Sequence, residues 1–321
     1  MIEARALWLT GKGRAALKTE TLSYPGGDWC VVKAMFSAVS PGTERVVANG
    51  QVPAALRKEM RCPYMGGRFS FPVKYGYSLV GRVDQGPANL RGRVVHVLHP
   101  HQDHCVVRAQ DVVPLPAGVP PARATLASNM ETAVTAVWDS GVTVGEHVLV
   151  VGFGIVGSLI ARILSLGPSV ELEIAERRPD RRRLTEDLGF RIAEARDPEP
   201  FDVAFDTSGT PAGLQTAIDR VGIEGRVVAV SWFGAAPARL DLGASFHSRR
   251  KRIIGSQVSR IPGLLQPRWD GARRKGLVFR LLERPEFGLH VGPAVSFVDL
   301  PRTYAALVGR SAKGLSPLII Y

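Results

Sequence analysis

Gly152, Gly154 and Gly157 fall in the run VVGFGIVGSLIARIL with the spacing G-x-G-x-x-G. The apolar stretch His147–Val151 leads into the run, and a helical periodicity from Ile155 to Leu166 leads out of it. A strand that turns on glycine and feeds a helix constrains fold and ligand together. The first glycine makes the tight turn, the second lets the backbone approach a pyrophosphate, and the third lets helix and strand lie close. The helix N-terminus then offers unpaired N–H groups to the phosphates. Gly152, Gly154, Ile155, Val156 and Gly157 therefore form the expected cofactor cradle.

The acidic residue that completes such a motif is Glu176, which ends the strand-like segment Val170–Ala175. A carboxylate there accepts hydrogen bonds from a ribose 2′-OH and repels a 2′-phosphate, which favours NAD. Arg177 and Arg178 argue for NADP, because guanidinium groups bind a 2′-phosphate. NAD is the first expectation and NADP the alternative, with Arg177 counted among the cofactor residues. Ser208-Gly209, Ser231-Trp232 and Ser256 follow later strand-like segments, at the strand ends where open α/β sheets bind ligands. Gln257 is a substrate-side candidate.

Around this motif the chain alternates strand and helix. Phe201–Asp206, Arg226–Val230 and Ile253–Val258 supply further strands, and Asp180–Leu188 reads as a polar-faced helix. Alternation predicts a doubly wound parallel sheet covered by helices on both faces. Residues 1–127 differ: short apolar runs (Trp29–Ala34, Leu79–Val83, Val94–Leu98) broken by turn residues predict a β-rich, barrel-like unit. Three pieces follow: 1–127, a dinucleotide-binding domain over 128–260, and a return segment over 261–321. That last piece holds a helical stretch, Trp269–Leu282, and strand-like Leu318–Tyr321.

Lys and Arg number 41 against 29 Asp and Glu, a net charge of +12. The basic residues are spread along the chain, apart from runs at 177–183 and 249–252. No recognition-helix, zinc-finger or RNP pattern accompanies them, so no nucleic-acid partner is expected. Three scattered cysteines (Cys30, Cys62, Cys105) make no disulfide framework and point to a reducing compartment. No basic segment followed by an apolar run suggests a leader. No stretch of ~18 apolar residues suggests a membrane span. A cytoplasmic enzyme acting on a small molecule is expected.

The order of parts resembles the medium-chain dehydrogenase/reductase superfamily over essentially the whole chain. ETAVTAVWDSGVTVGEHVLVVGFGIVG is similar to that family's helix, loop and first nucleotide-binding strand. AVSFVDLPRTYAALVGRSAKGLSPLIIY is similar to its C-terminal return. SAVSPGTERVV and YGYSLVGRV resemble the branch that includes the bacteriochlorophyllide hydroxyethyl dehydrogenases. The resemblance implies a GroES-like catalytic domain beside the Rossmann domain, and a homodimer paired through the sixth strand. Zinc members carry a cysteine two residues before the Thr of Gly42-Thr43-Glu44, where this chain has Pro41. They carry a Gly-His-Glu turn where it has Gly76-Tyr77-Ser78. The four-cysteine loop of a structural zinc is missing too. No metal is therefore expected.

One heptapeptide, His99-Pro100-His101-Gln102-Asp103-His104-Cys105, has metal-site residue types. If the segment runs extended, His99 and His101 share a face, and His104 and Cys105 cannot both join them. His101, and with it His99, reads as an active-site wall or acid–base group. By resemblance, Thr43 takes the place of a relay hydroxyl, and Tyr77 stands where a zinc-binding His would project. Glu131 is placed near the nicotinamide. The expected chemistry is hydride transfer between nicotinamide and an alcohol or carbonyl. Tyr77 and Thr43 would donate to the reacting oxygen, and His101 would carry the proton outward. An enone or quinone reductase of the same fold is the alternative, and a nucleotide-sensing module without catalysis is a third reading.

Overall fold

A computed structural model describes residues 1–167, 170–194 and 200–321. The described chain divides into two compact units, one comprising Met1–Ser128 and Phe279–Tyr321, the other Asn129–Val278.

The first unit opens with β1 (Ile2–Gly11), β2 (Arg14–Leu22) and β3 (Trp29–Ala38), then the short helix α1 (Pro41–Ala48). β4 (Gly66–Gly67), β5 (Val73–Lys74), β6 (Leu79–Gln85), β7 (Val94–Val97), β8 (His104–Arg108) and β9 (Val112–Pro114) follow, and α2 (Pro121–Ala124) closes this stretch. Buried and more exposed positions alternate along β8 and most of β1, as one-sided sheets require, while β3, β6 and β7 carry runs of buried residues. Cys30, Val32, Leu79, Val95, Val97, Cys105 and Val107 form their common core.

The second unit runs through α3 (Ala127–Ser140), β10 (His147–Val151), α4 (Ile155–Leu164), β11 (Glu171–Ala175), α5 (Pro179–Asp187), β12 (Arg191–Ile192) and β13 (Phe201–Asp206). It continues with α6 (Pro211–Arg220), β14 (Val221–Ala229), α7 (Ser245–Ser248), β15 (Arg252–Gly255) and α8 (Gly271–Glu283). Its six strands are parallel, in the order β12-β11-β10-β13-β14-β15. Numbered within the unit, that is the 3-2-1-4-5-6 order of a dinucleotide-binding sheet, with its switch point between β10 and β13. Strands buried on both faces explain the apolar runs Val148–Val151 and Val203–Phe205.

The chain then returns through β16 (Val291–Ser296), α9 (Leu300–Val308) and β17 (Ser316–Ile320). β17 pairs antiparallel with β3, so the last residues complete the first unit's seven-stranded sheet.

The second unit extends to Val278, past the expected boundary at 260. The cause is α8: Arg274 and Lys275 both pair with Glu131 of α3, and Arg274 also donates to the Val258 carbonyl at 2.7 Å. These bonds tie residues 261–278 to the nucleotide unit rather than to the return segment.

Candidate functional site

The glycine loop has the geometry its spacing requires. Gly152 has φ +93°, a left-handed conformation, and a Cβ there would lie 2.8 Å from Ser208 Cα. A Cβ on Gly157 would lie 2.2 Å from the Gly152 carbonyl oxygen and 2.5 Å from Thr207 Oγ1. Only glycine fits either position. Gly154 is the N-cap of α4 and no side chain caps the helix there, so the N–H groups of the first turn, from Ile155 and Val156 onward, remain available to an anion.

Glu176 lies against this loop. Its Oε2 accepts the Phe153 N–H at 2.9 Å, and its Oε1 accepts the N–H groups of Arg177 and Arg178 at 2.7 and 2.8 Å. An ionised carboxylate has about four acceptor positions, so these bonds fix its direction and leave little spare capacity. Arg177 is exposed, and Arg178 pairs with Asp180. The sequence reading missed Arg181. This residue of α5 donates to the Phe153 carbonyl at 2.7 Å and puts a guanidinium nitrogen 3.7 Å from the Cβ position of Gly154. Its signal was its place in the first turn of the helix that follows the acidic strand end.

Three further expected residues gather beside the loop. Ser208 donates its hydroxyl to Asp206 Oδ1 at 2.7 Å, Gly209 N–H donates to Ser231 Oγ at 2.9 Å, and Ser231 donates back to the Asp206 carbonyl. Asp206 is fully buried and burial raises its pKa. Trp232 follows Ser231, half-buried. Ser256 points elsewhere: its hydroxyl donates to Asp139 Oδ2 at 2.6 Å. Glu131 carries both oxygens into ion pairs, with Arg274 at 3.3 Å and with Lys275, so its carboxylate is a clamp between α3 and α8.

In the first unit a second cluster centres on α1. Pro41 occupies the first turn, where its fixed φ suits a helix start. Thr43 and Tyr77 do come together: the Tyr77 hydroxyl bonds the side chains of Ser40 and Thr43. Burial and the charge of Glu44 push the Tyr77 phenol well above the ordinary tyrosine range, so it remains a donor. Glu44, absent from the expected set, is the hub. It is fully buried, and its Oε1 accepts the Ser40 N–H at 2.8 Å. Its Oε2 meets His101 Nε2 at 3.1 Å and accepts the Tyr304 hydroxyl at 2.7 Å. Glu44 stands beside Thr43 in PGTERVV, where a charge at a helix start looks like an ordinary first-turn acid.

The heptapeptide splits three ways. His101 is fully buried, with Nδ1 on Ser37 Oγ at 2.8 Å and Nε2 on Glu44. His99 stacks on Tyr64 at 5.3 Å and lies 3.3 Å from Cys105 Sγ, and burial lowers its pKa to about 3. His104 turns to Asp103 at 3.2 Å. The expected common face of His99 and His101 does not form. The segment is not a regular strand there: Leu7 N–H donates to the His101 carbonyl, and Asp103 N–H donates to the Arg5 carbonyl, which fixes each side chain separately. Among the described residues no three of His, Cys, Asp and Glu form a metal-holding group. The donor set at Pro41 and Tyr77, a ring without a donor and a hydroxyl bonded to hydroxyls, does not fit a zinc ion.

No family model matches the chain. D-guloside 3-dehydrogenase of Escherichia coli (strain K12) is 27% identical over 191 residues, 55% of this chain and 55% of that protein. The chain thus spans about half the length of the curated relatives it matches. Among solved structures, L-idonate 5-dehydrogenase from Escherichia coli superposes with a TM-score of 0.77 at 16% identity, covering 100% of this chain and 99% of the other. Acetophenone reductase from Geotrichum candidum, in complex with NAD, superposes with a TM-score of 0.78 at 15% identity, covering 99% and 97%. The chain has their fold, a Rossmann-type doubly wound sheet joined to a β-rich GroES-like unit.

Proposed function

We propose that the protein is a zinc-independent oxidoreductase of the medium-chain dehydrogenase/reductase type, moving a hydride between a nicotinamide dinucleotide and a small alcohol or carbonyl substrate. The observation that carries this reading is the pairing of two built features in one chain: a glycine cradle that a single methyl group would fill, and a buried hydroxyl cluster of Tyr77, Ser40 and Thr43, at positions where the family resemblance implies a metal's ligands. Gly152, Gly154, Gly157, Glu176 and Arg181 would hold the dinucleotide, with Ser208, Gly209 and Ser231 at the adjoining strand ends. The bound nicotinamide supplies the hydride chemistry. Tyr77 and Thr43 donate to the substrate oxygen and stabilise the charge that develops on it, the part a Lewis acid would play elsewhere. The motifs SAVSPGTERVV and YGYSLVGRV favour the branch that includes the bacteriochlorophyllide hydroxyethyl dehydrogenases. The dehydrogenase relative and the common fold support the reaction class.

The test is calorimetric titration with NADH and NADPH beside elemental analysis of active protein, followed by cofactor turnover with ketones and enones in parallel. Saturable uptake of a dinucleotide, substoichiometric metal and turnover of ketones are expected. Stoichiometric zinc in active protein, or no uptake of either dinucleotide, overturns the reading. Turnover confined to enones moves the protein to the reductases of conjugated carbonyls.

A further inference from the structure

Glu44 and His101 are both wholly buried in the first unit, bonded to each other, and unexplained by packing. A buried carboxylate is expensive unless donors surround it. Three do: the Ser40 N–H, the Tyr304 hydroxyl and the His101 ring. The row continues beyond the imidazole. His101 Nδ1 meets Ser37 Oγ, and Ser37 Oγ meets the hydroxyl of half-buried Tyr321, each at 2.8 Å. The donor roles turn with the ring's tautomer: with Nε2–H on an ionised Glu44 the hydrogens run inward, and with Nδ1–H on Ser37 and the Ser37 hydroxyl on Tyr321 they run outward and leave Nε2 to accept from a protonated Glu44. Gly76 makes room for this arrangement. At φ +133°, its Cβ position lies 3.2 Å from the His101 ring.

The reaction proposed above leaves one proton to place. The titratable groups facing Glu44 are Cys62, Tyr75 and Tyr77 from the loops before β6, His101 from the loop before β8, and Tyr304 from α9. Burial lifts Cys62 to about 11, and burial lifts Tyr75, Tyr77 and Tyr304 further, so each keeps its proton at neutral pH. Beyond His101 stands His99, which burial keeps neutral, and then Lys74, held by Glu20 and Gln102. The hydroxyl cluster can pass a proton but cannot hold the charge left behind.

Building on the oxidoreductase reading, we propose that Glu44 is the proton acceptor of this site, acting through the Tyr77, Ser40 and Thr43 hydroxyls, and that His101, Ser37 and Tyr321 carry the proton onward. In alcohol oxidation the carbinol C–H bond breaks and its electron pair leaves as hydride for the nicotinamide. The O–H proton passes to a cluster hydroxyl, whose own proton moves on to the Glu44 carboxylate, and the C=O bond forms. Carbonyl reduction runs the same transfers backward.

The test uses the full chain with an alcohol that it oxidises. Glu44→Gln is expected to lower kcat about 100-fold, leave KM and dinucleotide affinity within about two-fold, and abolish the acid limb of the kcat–pH profile. Ser37→Ala and Tyr321→Phe are expected to give smaller losses with a raised solvent isotope effect. Nitrogen-15 spectra of the His101 ring, assigned with His101→Gln, supply a readout independent of turnover. The ring nitrogens should change over the pH interval of the acid limb, and should lose that change in Glu44→Gln. Should Glu44→Gln fail to fold, the ring spectra and the two relay variants decide instead. A wild-type acid limb with no change at the ring, or a folded Glu44→Gln with wild-type kcat and pH profile, overturns the inference and leaves the oxidoreductase reading intact. A wild type that binds dinucleotide but turns over no alcohol, ketone or enone sinks the oxidoreductase reading itself.

Discussion

Tyr77 shows what one side chain is asked to do. Its hydroxyl lies among Ser40 and Thr43, and burial together with Glu44 keeps it protonated. Tyr77→Phe removes the donor and keeps the ring, so kcat should fall about 100-fold with dinucleotide affinity unchanged. Steady-state kinetics beside calorimetry check this, and a matching loss of affinity would point to a packing role. His99 gives a prediction of opposite kind. Its pKa drops from an ordinary 6.5 to about 3 on burial, so below pH 6.5 the unfolded chain binds the proton that the folded chain refuses. Stability from this residue is therefore complete above pH 6.5 and is lost as pH falls toward 3, by up to about 1.4 kcal/mol per pH unit. Urea melts across that window should show a shallower acid slope for His99→Gln than for the wild type. The residue types in the heptapeptide were legible in the sequence, but their partners were not. Asp103 stands beside His104, but Tyr64, Ser37 and Glu44 lie up to 64 positions away in the chain, and a periodicity argument sees only neighbours.

Elements were legible where two local signals agreed. β10, the glycine turn and α4 carry apolar run, glycine spacing and helical periodicity in unbroken succession, and they stand where the sequence puts them. The parallel sheet followed from alternation alone, since crossover helices require it. α8 straddles the division between the two units, its residues through Val278 grouping with the second and those from Phe279 with the first. Nothing in GARRKGLVFRLLE states that two of its cations meet Glu131 on a helix well over a hundred residues earlier. Glu131, expected near the nicotinamide, is the third member of that buried set, with about a tenth of its side chain exposed. Glu131→Gln leaves Arg274 and Lys275 buried without a countercharge, which should cost about 3 kcal/mol. The loss should appear as a lowered thermal midpoint, while kcat per folded molecule holds. A fall in kcat at unchanged stability would instead return Glu131 to the reaction.

At the scale of the whole molecule, the net charge of +12 is dispersed rather than concentrated. Arg226 pairs with Glu146, Arg250 and Arg252 with Glu224, and Arg284 with Glu286, so much of the basic surface answers to acids of the same chain. No helix among the described residues is long and apolar enough to cross a membrane. The feature that calls for a partner is β15. It closes the six-stranded sheet, pairs with β14 on one side only among the described residues, and leaves Ile253 37% exposed. An unpaired parallel edge with an apolar side chain is a template for another strand, and a second copy of the same edge satisfies it with two-fold symmetry. We expect a homodimer in light-scattering chromatography at micromolar concentration. Ile253→Arg places like charges opposite each other across such a joint and should shift the mass to that of a single chain. Because the glycine loop follows β10, three strands away in the sheet order, dinucleotide titration of that variant should match the wild type. A wild type that elutes as a single chain at every concentration would show that Arg250 and Arg252, reaching back to Glu224, guard the edge rather than frame an interface.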